Sequence, residues 1–202
     1  MNNQDIKELC LKLIHADFEE EIISILKEYG YWDNDKYWRF YGDKENNWSQ
    51  VNNQGDTSDI ALVEKLTNSI DARLMNECLL NNIDPEGKNA PKSILEAVAL
   101  FFEDNPKSSD AGLVSRWTDG KRREIAQGIT LSATGHGPKS GDPSYTISDC
   151  GEGQTPKSIP NTLLSLTESN KLKIPFLHGK FNQGGSGVIL FCGKKHLQLS
   201  FP

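Results

Sequence analysis

No Cys-x-x-Cys pair occurs in this chain, and its four cysteines, Cys10, Cys78, Cys150 and Cys192, lie far apart with no histidine at ligand spacing. The common zinc patterns are thereby excluded, nothing suggests a disulfide framework, and reduced thiols in a cytosol are the expectation. Long hydrophobic runs are missing as well. No stretch approaches the ~18 apolar residues of a membrane span, and the N-terminus is acidic and polar where a signal peptide needs an apolar segment. A cytoplasmic protein with no membrane contact is expected. Positive charge is not in excess: 22 Lys and Arg stand against 28 Asp and Glu, a net charge of -6, so direct nucleic-acid binding through a global field is not indicated. Internal repeats and low-complexity tracts are also lacking.

At 202 residues the chain can build one domain with a substantial core. Apolar residues recur at helical spacing over residues 5–29 (Ile6, Leu9, Leu13, then Phe18, Ile22, Ile25, Leu26), with a break near 15–17, which predicts two short helices. Residues 30–57 are rich in Trp, Tyr, Asn and Gly, and are expected to be irregular, with their rings packed onto the domain. Thr57 or Ser58 can cap a helix running to about Leu80. Further helices are expected at 93–103, 119–127, 157–166 and 185–191. Residues 129–133 and 145–148 read as strands joined through a Gly, Pro and Ser-rich loop, hence an antiparallel hairpin, and 196–201 as a last strand. The order favours an α+β architecture, helices over one face of a mainly antiparallel sheet.

Three short segments carry chemistry. Glu64, Asn68 and Asp71 fall within about 60° of one another on a helix, with Leu62, Val63, Leu66, Ile70 and Leu74 opposite. An ordinary amphipathic helix with a wet polar face is the plain alternative. The functional reading is a carboxylate that deprotonates water, Glu64, one turn from an amide oxygen able to join a hard cation's shell, Asn68. Asp149 ends a strand-like run before Gly151 and Gly153, where a carboxylate can accept from an exocyclic amine and glycines let a planar ligand approach; the alternative is a β-turn with a capping Asp. The run from Gly179 to Gly187 leads directly into Val188-Ile-Leu-Phe191, offering amides and a dipole to phosphate. Around it Lys171, Lys173, Lys180, Lys194 and Lys195 face only Glu168. No Walker A loop is present.

In this order the segments resemble the ATP-binding domain of the GHKL superfamily, shared by gyrase-type topoisomerases, the ninety-kilodalton heat-shock chaperone, sensor histidine kinases, MutL and MORC. The likeness covers roughly residues 57–200 and implies the Bergerat fold, a two-layer α/β sandwich on a mixed sheet with ATP beneath a mobile lid. It divides the chain into an N-terminal helical and aromatic-rich segment, 1–56, and an ATP-binding domain, 57–202. The resemblance implies that Glu64 is the general base, Asn68 the magnesium ligand, Asp71 a polar residue near the nucleotide, Asp149 the adenine-reading carboxylate, and Gly151 and Gly153 the turn under the base. Gly185 and Gly187 match the close of the lid motif, and Lys180, Gln183, Gly184 and Ser186 complete the nucleotide-contacting set. The lid would span about 155–183.

Asn182 stands where the lid motif has its first glycine, and Gly184 is one place out of register. Kinases of the superfamily generally lack the upstream Glu, so Glu64 points to hydrolysis of ATP to ADP and phosphate. The resemblance further implies lid closure that controls an ATP-dependent homodimer or a larger partner protein. Taken as the whole protein, the chain is expected to turn over slowly or with a partner, because several superfamily ATPases draw a transducer lysine from a second domain. The alternatives are an ATP-gated binding module with little turnover, and a scaffold acting through residues 1–57.

Overall fold

The computed structural model describes residues 2–52, 57–137, 139–162, 164–165, 171–179 and 184–201. Helices α1 (Asn3–Ile14) and α2 (Glu19–Glu28) form the start of the chain. Asn2 caps α1 by accepting from the Gln4 and Asp5 amides, and the Glu21 carboxylate accepts from the Asp17 and Phe18 amides between the two helices. At α1 the orphan first-turn amides are satisfied by a residue type suited to it; at α2 the N-cap is Phe18, whose side chain makes no cap bond, and Glu21 reaches back to the chain before the helix. Single 3-10 turns at Asp35–Tyr37 and Tyr41–Asp43 lead to α3 (Asn47–Asn52).

The aromatic segment behaves differently from expectation. Trp32 and Trp38 pack edge to face at 5.3 Å, as do Tyr31 and Tyr37 at 4.6 Å, while Tyr37, Trp38 and Phe40 stay largely exposed. These rings bury one another rather than the domain. Contact with the rest of the chain comes from Val51, fully buried against Ile189 with Tyr41, Val188 and Leu190 around it.

Helix α4 (Ser58–Leu80) is the element around which the remaining segments pack. Its N-cap is Thr57, whose hydroxyl bonds to Asp59 instead of to a first-turn amide. Along it Ala61, Ser69, Asp71, Leu74 and Cys78 are buried, whereas Val63 and Ile70 are exposed. The edge bearing Asp71 therefore turns inward, and part of the apolar edge turns to water, the reverse of an ordinary surface helix. Helix α5 (Ile94–Phe102), capped by Ser93, packs on α4. Leu74 and Cys78 meet Ala90, Ala97, Ile174, Phe176 and Leu177 in the main core. Burial of a full phenyl ring at Phe176 contributes about 1.5–3 kcal/mol by area alone, so the segment around it is anchored.

Helix α6 (Asp119–Ala126) feeds strand β1 (Ile129–Gly135), which pairs antiparallel with β2 (Pro143–Asp149). Ile129 lies opposite Asp149 and Gly135 opposite Pro143, so the hairpin is formed with Asp149 at its open end. The fold is α+β, and among the described residues the sheet has these two strands. Residues 196–201, expected as a strand, join no sheet among the described residues. Of the helix expected at 157–166, the described residues show a 3-10 turn, Ile159–Asn161, with Pro160 in its first turn; residues 163 and 166 lie outside the described residues. The glycine run ends in one α-turn, α7 (Gly184–Gly187), continuing as a 3-10 turn, Val188–Phe191.

Candidate functional site

Helix α4 is where the three sequence segments meet. On its inward edge the Asp71 carboxylate is fully buried. Its Oδ1 accepts the His178 amide at 3.0 Å and its Oδ2 the Gly179 amide at 2.9 Å. The Lys171 ammonium donates to the same Oδ2 at 3.1 Å and to Asn68 Oδ1 at 3.3 Å. His178 Nδ1 lies 3.7 Å from Asp71 Oδ1, an ion pair only when the ring is protonated. A buried carboxylate needs such partners, because desolvation without them costs several kcal/mol. Gly179 has to be small here: a Cβ would sit 3.1 Å from Asp71 Oδ2, 3.2 Å from Asn68 Oδ1 and 3.4 Å from Lys171 Nζ.

One turn further along, the 149–153 loop docks on the same helix. The Glu152 amide donates to the Ala72 carbonyl at 3.3 Å, and Asn76 Nδ2 donates to the Cys150 carbonyl at 3.1 Å. Gly151 permits this approach, since a Cβ would lie 2.6 Å from the Ala72 Cβ and 2.6 Å from Asp149 Oδ1. Its missing side chain thus serves helix packing as well as any ligand. Gly153 takes φ +65°, the left-handed region glycine adopts without strain. Asp149 is exposed, and its Oδ1 accepts the Gly151 amide at 3.0 Å, the turn-capping role open to any Asp-x-Gly. Partial desolvation raises the Glu152 carboxyl above its usual range, and the Lys171 ammonium works against that.

The Glu64 side chain, half-buried two turns before Asp71, makes no hydrogen bond or ion pair among the described residues. Its neighbour Lys65 is held at about 8, down from 10.5, by burial, with Cys192 opposing that shift; burial in turn pushes the Cys192 thiol up. Helix α7 packs against α4, with Ser186 fully buried and Gly187 buried, so the last glycines lie against the helix that carries Asn68. Lys180 and Gln183 lie outside the described residues.

The structure therefore brings Asn68, Asp71 and Gly179 together, docks Gly151 on Ala72, and packs Gly184–Gly187 against the same helix. It also puts Ile174, Phe176 and Leu177 of the expected lid into the core. Sequence reasoning missed Lys171 and His178 as partners of Asp71. Lys171 was visible only as one of several basic residues, and no spacing rule connects positions a hundred residues apart.

Asn68 Oδ1 and Asp71 Oδ2 both accept from the Lys171 ammonium, and amide and carboxylate oxygens are also the ligand type that hard divalent ions take. A cluster of three or more His, Cys, Asp or Glu side chains able to hold a metal alone does not occur among the described residues. A depression of about 300 Å³ is lined by Lys92, Ser93, Ile94 and residues 175–178, and does not include Asp149. No helix among the described residues is long and apolar enough to cross a membrane. The chain matches no family model, no curated protein and no solved structure.

Proposed function

We propose that the chain is a magnesium-dependent ATP-binding module of the GHKL type that hydrolyses ATP slowly, its helices and hairpin belonging to a Bergerat two-layer sandwich. The observation that carries this reading is the meeting of all three segments on α4: the Asn68 and Asp71 oxygens around one cation, the Asp149 loop docked at Ala72, and the glycine run beside them. A wet polar face on an ordinary helix would not bury Asp71, nor gather residues from 149–153, 171–179 and 184–187 around it.

Asn68 would hold magnesium, which when bound neutralises phosphate charge. Asp149, exposed beside its turn, would read the adenine amine, and the Gly184–Gly187 amides would approach the phosphates. Glu64 would take the proton of the attacking water. Closure of the glycine-flanked segment would then alter association with a second copy or a partner protein.

An ATP-gated module with little turnover is the second reading, favoured by one observation: among the described residues Glu64 has no partner to aim it. Phosphate release beside calorimetric ATP binding separates the two. Glu64→Ala is expected to keep ATP affinity and to lose turnover by about 10²- to 10⁴-fold, the contribution of a positioned base. Equal phosphate release from wild type and variant would reject the catalytic role and leave the sensor.

A further inference from the structure

The Lys171 ammonium is the most specific feature of the site that the motifs did not announce. It reaches across from a segment a hundred residues away to bond Asn68 Oδ1 at 3.3 Å and Asp71 Oδ2 at 3.1 Å. Its side chain is about one quarter exposed, and Asp71 is not exposed at all. The two oxygens are not equivalent. Asp71 is also fixed by the His178 and Gly179 amides, and the Phe176 ring holds that segment in the core. Asn68 Oδ1 is held by Lys171 alone among the described residues. One bond of the ammonium is therefore structural and the other exchangeable.

We infer that Lys171 is a resident counter-cation: in the nucleotide-free protein it fills the seat at Asn68 Oδ1 that a divalent metal takes when nucleotide binds, so that lysine and metal compete for one position. This rests on the ATP-binding reading and deepens it by assigning the site a regulator of its metal dependence. An ammonium and a divalent ion on the same amide oxygen would lie a few ångströms apart and repel, which disfavours both being seated at once. Metal binding displaces the ammonium from Asn68, while the Asp71 bonds to the backbone of 178–179 persist. In the absence of metal the ammonium stays as the positive charge facing the phosphates, and the protein retains nucleotide without magnesium.

The signature is a coupling between residue 171 and the metal. ATP affinity is measured by calorimetry in magnesium and in EDTA, and the ratio of the two dissociation constants gives the metal's benefit. In Lys171→Met that ratio is expected to rise about tenfold over wild type, a typical coupling between two ligands of one site; in Lys171→Arg, which keeps the charge, it stays within about twofold. Lys171→Gln, polar and neutral, serves if the Met variant fails to fold, and is expected to behave like it. An unchanged ratio in the neutral variants, with ATP still bound, overturns the inference and leaves ATP binding standing. Absence of ATP binding to wild type under both conditions overturns both.

Discussion

Replacing Asp71 with Ala would strip three donors of their acceptor at once: the His178 amide, the Gly179 amide and the Lys171 ammonium. A hydrogen bond to a charged group contributes about 1.5–3 kcal/mol, and breaking a buried ion pair costs about 3–5 kcal/mol because the partner is left unpaired. The contributions do not add. Lys171 is partly exposed and can regain water, and His178 is about half exposed, so part of the loss is recovered by solvent. About 3–5 kcal/mol is the net expectation. With a urea slope of about 2 kcal/mol per molar, the unfolding midpoint should fall by about 1.5–2.5 M. Asp71→Asn keeps the volume and one acceptor, and should lose about half as much. The assay is equilibrium urea unfolding followed by circular dichroism and tryptophan fluorescence together, coincident curves licensing a two-state treatment. A loss below about 1 kcal/mol in the Ala variant would refute the role of Asp71 as the tie between α4 and residues 171–179.

Gly151→Ala should destabilise by about 1–3 kcal/mol through overpacking against the Ala72 Cβ, read as a lowered thermal midpoint, and a neutral result would mean that the 149–153 loop does not press on α4. Lys65 gives a pH dependence. Its folded value, about 8, lies below the ordinary 10.5, so between them the unfolded chain binds more protons and stability should rise with pH across that window. Cys78 and Cys192, both raised from 9, act in the opposite sense above that value. The measurement is therefore the difference between wild type and Lys65→Met, which should show the rise in wild type only; parallel profiles would contradict the burial of that amine.

The features that could be read in advance divide along physical lines. The 58–80 helix and the 129–149 hairpin follow from local signals, apolar spacing in the one and strand-forming runs around a Gly and Pro-rich loop in the other, and both formed where expected, although Thr57 does not make the cap bond expected of it. Which side of α4 faces inward did not follow, since Val63 and Ile70 are apolar yet exposed, and Asp71 is charged yet buried. Burial of Asp71 depends on three donors supplied by residues 171–179, a segment with no periodicity to announce it. Of the 157–166 helix expected, the described residues form a single 3-10 turn, Ile159–Asn161. Residues 196–201 show the converse: strand-forming side chains make a strand only when another edge is present to pair with. Of the site, the residue types at Asn68, Asp149 and Gly151 were visible, and their gathering on one helix was proposed from the resemblance. The ammonium between Asn68 and Asp71 was not visible at all.

ATP titrated calorimetrically in magnesium into wild type and into Asp149→Asn is the most direct measurement of the central claim. Saturable one-to-one binding is predicted in wild type, weakened in the variant by about 1.5–3 kcal/mol through loss of a charge-assisted bond to the base. No binding to wild type, or equal binding to both proteins, would contradict it.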